Sequence, residues 1–111
     1  MNTWEDLAFW DCGEWQVIEE RLDSMDALGQ LYNPPIELIF AALDATPFDK
    51  VKVVFMGQDP YPDRKFCTGL AFSIPRRLRN FPASLNTIYD EYERDLHYPR
   101  PKHGDLSAWA E

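Results

Sequence analysis

One stretch of this chain constrains its fold more than any other: the run Val51-Lys52-Val53-Val54-Phe55-Met56, which stops abruptly at Gly57-Gln58-Asp59-Pro60-Tyr61-Pro62. β-Branched and aromatic runs of this kind occur in strands of a parallel sheet, where both faces of the pleat are covered and both must be apolar. The Gly- and Pro-rich turn that follows then stands at the carboxyl end of the strand, where open α/β sheets bind their ligands. The expected fold is therefore α/β with a parallel sheet.

The remaining periodicities supply helices for the faces of such a sheet. Trp15, Ile18, Leu22, Met25 and Leu28 recur at three- and four-residue steps and predict a helix over residues 14–28 that Gly29 ends. Pro35 opens a second helix, with Ile36, Ile39, Phe40 and Leu43 on one face. Residues 69–74 read as a short second strand or an extended segment, and residues 76–82 as a basic loop. Ser84 is a suitable N-cap for a helix running to about residue 96, with Leu85, Ile88, Tyr89, Tyr92 and Leu96 inward. Gly104-Asp105 opens a last helix over residues 106–111. One clear strand and one weak one cannot cover four helical faces, so the chain reads as a single, truncated domain in which something follows Glu111. Residues 1–31 form an N-terminal helical segment and residues 32–111 the part that bears motifs. In isolation the edge of residues 51–56 lacks neighbours, and poor folding is the expectation.

Charge sets limits on partners. Lys and Arg number 11 against 19 Asp and Glu, a net charge of −8 that by itself argues against a nucleic-acid partner. The distribution argues otherwise: residues 1–50 hold two basic and eleven acidic side chains, whereas residues 64–79 hold Arg64, Lys65, Arg76, Arg77 and Arg79 and no acid. Such an island is either a phosphate-contacting edge or a solvated face. No apolar run is long enough for a signal peptide or membrane span, so a soluble cytoplasmic protein without a membrane partner is expected. Cys12 and Cys67 are far apart and outside any metal-binding spacing, and His97 and His103 are not spaced as ligands, so no metal is expected.

Asp59 is the residue to explain. A carboxylate held between Gln58 and Pro60 at the end of a strand suits a general base or an anionic stabiliser of a developing cation, or else it satisfies turn amides. Tyr61 follows two positions later and Phe72 lies in the next extended segment. Two planar rings beside an acid suit a base flipped out of its stack, although core packing would also account for Phe72.

The residues from Val53 to Pro62 resemble the water-activating motif of family 1 uracil-DNA glycosylases, a strand followed by GQDPY. Gly69-Leu70-Ala71-Phe72-Ser73-Ile74 is similar to that family's uracil-stacking segment, and Phe81-Pro82-Ala83-Ser84-Leu85 to its Pro/Ser-rich phosphate loop. Gly104-Asp105-Leu106-Ser107-Ala108-Trp109-Ala110 matches its GDLS.WA stretch, and Tyr32-Asn33-Pro34-Pro35 resembles its YPPP segment. Five collinear matches are far more specific than one short motif.

The resemblance implies a parallel-sheet fold of the uracil-DNA glycosylase type and hydrolysis of the N-glycosidic bond of uracil in DNA, the first step of base-excision repair. It implies that Asp59 orients the attacking water and stabilises an oxocarbenium-like transition state, and that Gln58 contacts the uracil carbonyl edge through its backbone. It implies too that Tyr61 excludes thymine by its methyl, that Phe72 stacks on the base, and that Ser84 contacts a DNA phosphate. Uracil-containing DNA would be the partner of a monomeric enzyme that needs no cofactor or metal. Pro62 stands where many members carry histidine, and Phe81 and Ala83 thin the prolines of the phosphate loop. The family's later asparagine, histidine and leucine motifs have no counterpart here, and neither His97 nor His103 sits in a matching motif. The alternative is a catalytically dead, truncated remnant acting as a DNA- or protein-binding module.

Overall fold

Glycines bound the first helix of this chain. The computed structural model describes residues 3–111, so Met1 and Asn2, the start of the expected N-terminal segment, lie outside the described residues. Helix α1, Glu14–Ala27, begins after Gly13 at φ 95° and is closed by Gly29 at φ 68°. The Gln30 N–H returns to the Met25 carbonyl at 2.9 Å, a Schellman closure that uses the left-handed conformation glycine adopts without strain. Along the expected inward face, Trp15, Leu22 and Met25 are half-buried, while Ile18 and Leu28 are exposed. Trp15 anchors the helix: its ring lies 5.8 Å from Trp10 and 5.1 Å from Phe40. Trp4 packs edge-on against Phe48 and donates from Nε1 to the Thr46 carbonyl at 2.8 Å. The early tryptophans thus serve to pack the N-terminal segment against α1 and residues 40–48.

The second expected helix breaks into a 3-10 turn, Ile36–Leu38, and a short α2, Ala41–Ala45. Phe40, at φ −104° and ψ 14°, leaves the helical region between them. Gly69 abuts this junction so closely that a Cβ there would lie 2.3 Å from the Leu38 carbonyl oxygen and 2.6 Å from Ala41 Cβ. Its φ of 85° also belongs to glycine.

The expected parallel sheet does not form, and the fold class must be corrected: among the described residues every regular element is helical and there is no strand. A strand is a relation between neighbours, defined by a ladder of hydrogen bonds. Residues 51–56 lack that neighbour, and Val53, Val54, Phe55 and Met56 are 63–85% exposed. The second candidate strand turns at Gly69 and again at Phe72, whose φ of 67° is incompatible with a pleat.

Helix α3, Ala83–Leu96, is the core's main support. Pro82 rather than Ser84 occupies the cap position and its carbonyl accepts from Asn86 N–H at 3.1 Å; Ser84 is the second helical residue. Leu85 and Tyr89 are fully buried, Ile88 and Tyr92 half-buried, and Leu96 exposed. Arg100 clasps the outer side of α3, pairing with Asp90 and Glu93, donating to Asn86 Oδ1 at 3.2 Å and lying over the Tyr89 ring. The expected last helix is a 3-10 turn, Ser107–Ala110, whose Trp109 stacks on Tyr92. The buried core is Ile74, Leu85, Tyr89 and Leu106, ringed by Tyr61, Phe66, Phe72, Leu78, Phe81 and Ile88. With so small a core the chain is spread out: its radius of gyration is 16.0 Å, against roughly 13 Å for a packed domain of this length.

Candidate active site

The crossing of residues 73–74 with residues 104–106 stands behind a cleft that Ser73 lines. Gly104 is required there, because a Cβ would come within 2.4 Å of Ile74 Cγ1 and 2.8 Å of Leu85 Cδ2. At that close approach Ile74 N–H donates to the Gly104 carbonyl at 2.9 Å, and Leu106 N–H donates to the buried Ser73 Oγ at 2.9 Å. The crossing is pinned from both sides, and Phe72, immediately before it, is driven into the left-handed region.

For a bulky residue that conformation costs on the order of 1–3 kcal/mol and persists only where neighbours hold it. Tyr61 provides the hold: its hydroxyl donates to the Phe72 carbonyl at 2.7 Å. The Phe72 ring also lies over the backbone at the start of the Gly57-Gln58-Asp59 turn, its tip 3.6 Å from where a Gly57 Cβ would sit, an ordinary contact distance. Burial pushes the Tyr61 phenol above its ordinary pKa, and a hydrogen bond from the Ser84 side chain acts the opposite way. Tyr61 therefore ties the turn, the Phe72 segment and the first turn of α3 together.

The turn is tied from behind as well. Asn33 Nδ2 donates to the carbonyls of Tyr61 at 3.2 Å and Pro62 at 2.9 Å, and Arg64 Nη1 donates to the Tyr32 carbonyl at 3.0 Å. Cys67 Sγ approaches the Tyr61 carbonyl at 3.3 Å, and burial raises this thiol's pKa. Asn33 and Ser73 are structural supports of the site that the sequence reading left without a role. Only the proximity of Asn33 to a Pro-Pro pair hinted at the first, and nothing local marks the second.

These supports enclose a cleft of about 550 Å³, within the range of small-ligand sites. All five residues singled out from the sequence, Gln58, Asp59, Tyr61, Phe72 and Ser84, line it. Asp59 is exposed on its wall, and among the described residues no group donates a hydrogen bond to its carboxylate, so it does not serve to satisfy turn amides. A free carboxylate beside an aromatic ring can orient water or face a developing cation. His97 terminates α3 and His103 Nδ1 accepts from Asp105 N–H at 3.1 Å; neither lines the cleft. Asp105 is itself held below the usual carboxylate range by the hydroxyl and backbone N–H of Ser107, with burial opposing. Among the described residues there is no group of three or more His, Cys, Asp or Glu able to hold a metal ion, and no helix is long and apolar enough to cross a membrane.

No protein-family model matches the chain. Individual relatives do. It is 49% identical over 93 residues to a uracil-DNA glycosylase of Wolinella succinogenes, covering 84% of this chain and 40% of the relative. It is 51% identical over 96 residues to that of Dichelobacter nodosus, covering 84% and 41%. With the uracil-DNA glycosylase of Campylobacter fetus the identity is 48% over 111 residues, covering 98% and 47%. The chain spans less than half the length of these curated relatives. Similarity at this level along nearly all of its own length means that the chain belongs to the uracil-DNA glycosylase family.

Proposed function

We propose that this chain carries the hydrolytic half of a uracil-excising site, acting on the N-glycosidic bond of uracil in DNA as the first step of base-excision repair. The observation that supports this reading most is the convergence of Gln58, Asp59, Tyr61, Phe72 and Ser84 on one cleft. A uracil flipped out of the stack enters that cleft and stacks on Phe72. The Gln58 backbone meets its carbonyl edge. Tyr61 fills the space beside C5, so the thymine methyl meets a wall; rejection by a clash discriminates where attraction alone would not. Ser84, near the start of α3, contacts a phosphate of the strand, where helical N–H groups favour anions.

Asp59 orients a water toward the anomeric carbon. As the C–N bond breaks, its electron pair leaves with uracil as an anion, and positive charge develops on the sugar ring facing the Asp59 carboxylate. The water's oxygen bonds to the anomeric carbon, its proton passes to the Asp59 carboxylate and from there through solvent to the departed uracil anion, and hydrolysis is complete without a cofactor or metal. Residues 1–111 serve as a single partial domain, with residues 32–111 bearing the site, in a monomeric protein that works in the cytoplasm on uracil-containing DNA.

The test is uracil release from a single-stranded uracil-containing oligonucleotide with the chain in excess, beside an Asp59→Asn variant of unchanged circular dichroism. Release is expected to fall by about 10²-fold or more in the variant. Equal release by both would remove Asp59 from the chemistry. Binding without release by the wild type would overturn the enzymatic reading in favour of a DNA-binding module.

A further inference from the structure

The proposed chemistry uses none of the arginines between Ile74 and Phe81, yet the structure organises them. Pro75 and Leu78 close a turn through a Leu78 N–H bond to the Pro75 carbonyl at 3.0 Å, with Arg76 and Arg77 at its two central positions. Ile74 is fully buried, and Leu78 and Phe81 pack against the same core. These three apolar side chains hold the loop down, and Arg76, Arg77 and Arg79 are left exposed on its outer side. Arg79 Nη1 also reaches the Lys102 carbonyl at 3.5 Å, which brings a fourth exposed cation alongside.

Elsewhere in the molecule Lys65 pairs with Asp63, Arg94 with Glu91, and Arg100 with Asp90 and Glu93, while Arg21, Lys50, Lys52 and Arg64, which form no ion pair among the described residues, stand in stretches that also carry acids. Among the described residues neither Arg76, Arg77 nor Arg79 forms an ion pair. No Asp or Glu occurs in the sequence between Asp63 and Asp90. In a chain of net charge −8, four exposed cations in one anchored loop and beside it, with Asp105 the acid that feels the charge of Arg76, are a local reversal of sign. The loop follows closely on Ser73, which lines the cleft, and ends at the first turn of α3, where Ser84 lines the same cleft.

From this placement we infer that Arg76, Arg77 and Arg79, with Lys102 beside them, form a phosphate-binding strip that grips the DNA backbone flanking the base held in the cleft. The inference rests on the reading of DNA as the substrate. It adds a sequence-independent grip, by counterion release, to the single phosphate contact of Ser84. The strip also opposes the repulsion that the acidic body of the chain exerts on any polyanion.

Fluorescence anisotropy of a labelled single-stranded oligonucleotide, with and without one uracil, tests it across a salt series. The Arg76→Gln/Arg77→Gln/Arg79→Gln variant is compared with an Arg21→Gln/Lys50→Gln/Lys52→Gln variant, which changes net charge equally with exposed residues outside the loop. At about 0.7 per single-strand phosphate contact, the slope of log K against log salt is expected to shrink by about 2 in the first variant only. The preference for the uracil-containing strand should be unchanged. Equal slopes in the wild type and the loop variant, or equal losses in the two variants, would overturn the strip alone. Loss of slope in the loop variant with no uracil preference in any protein would support the strip and overturn the uracil-excision reading. No binding by the folded wild type would overturn both.

Discussion

Residues 69–74 and residues 51–56 are similar in length and in apolar content, but they meet opposite fates. The first segment is bent twice, at Gly69 and Phe72, and is pinned by Ile74 to Gly104 and by Ser73 to Leu106. Ser73 and Ile74 are almost fully buried. The second segment runs straight, and its four apolar residues from Val53 to Met56 are all more than half exposed. What separates them is the availability of partners: a short apolar run is buried when backbone donors and acceptors from elsewhere in the chain meet its own. The candidate active site sits between the two regimes. Phe72 comes from the pinned segment, whereas Asp59 comes from the turn that the exposed segment leads into, and Tyr61 bonds one to the other.

The largest effect should come from emptying the pinned region. Leu85 is fully buried against Ile74 and Gly104, so Leu85→Ala should cost about 2–5 kcal/mol of unfolding free energy. The check is a denaturant titration followed by circular dichroism. A loss below about 1 kcal/mol would mean that this core is too loosely packed to register a cavity, and the contrast between the two segments would collapse.

A smaller loss tests the pin itself. Ser73→Ala removes the acceptor of the Leu106 N–H at a site only 1% exposed. An unpaired buried donor costs about 1–3 kcal/mol. The same variant should weaken the hold on Phe72, so that under the proposed function binding of free uracil should decline along with stability. A neutral Ser73→Ala would show that water replaces the hydroxyl and that the crossing depends on the Ile74–Gly104 bond alone.

How much of this was legible in the sequence follows the same division. Helices α1 and α3 were readable because their apolar spacing is local, and the Gly29 closure of α1 was readable because only glycine adopts that φ without cost. The five cleft residues were readable because short motifs fix spacing and chemistry together. The bonds that assemble the cleft join residues far apart, Asn33 to Tyr61 and Pro62, and Ser73 to Leu106, and no local pattern announces them. The close approach of Gly69 to the break between Leu38 and Ala41 is another relation between residues far apart in the chain. The expected sheet failed for a related reason. The composition of Val51-Lys52-Val53-Val54-Phe55-Met56 states what a strand would be made of, and pairing is a property of two segments.

The exposed segment carries the smallest expected change in stability and so sharpens the contrast most. Val54 is 67% exposed, and Val54→Thr keeps its shape while replacing a methyl with a hydroxyl, so stability should stay within about 0.5 kcal/mol of wild type. Phe55 has one ring neighbour, Trp109 at 6.4 Å, and Phe55→Ser should cost slightly more for that reason. Self-association should move the other way. An extended apolar run with unpaired backbone groups is a template for edge-to-edge pairing between molecules, and a polar side chain on it works against that pairing. Sedimentation of the wild type and of a Val54→Thr/Phe55→Ser variant over a concentration series should show the larger species receding in the variant while the unfolding curve barely shifts. Should Val54→Thr alone lower stability by 1 kcal/mol or more, the segment must be covered in solution, and the distinction between a pinned and an unpartnered run would have to be redrawn around whatever covers it.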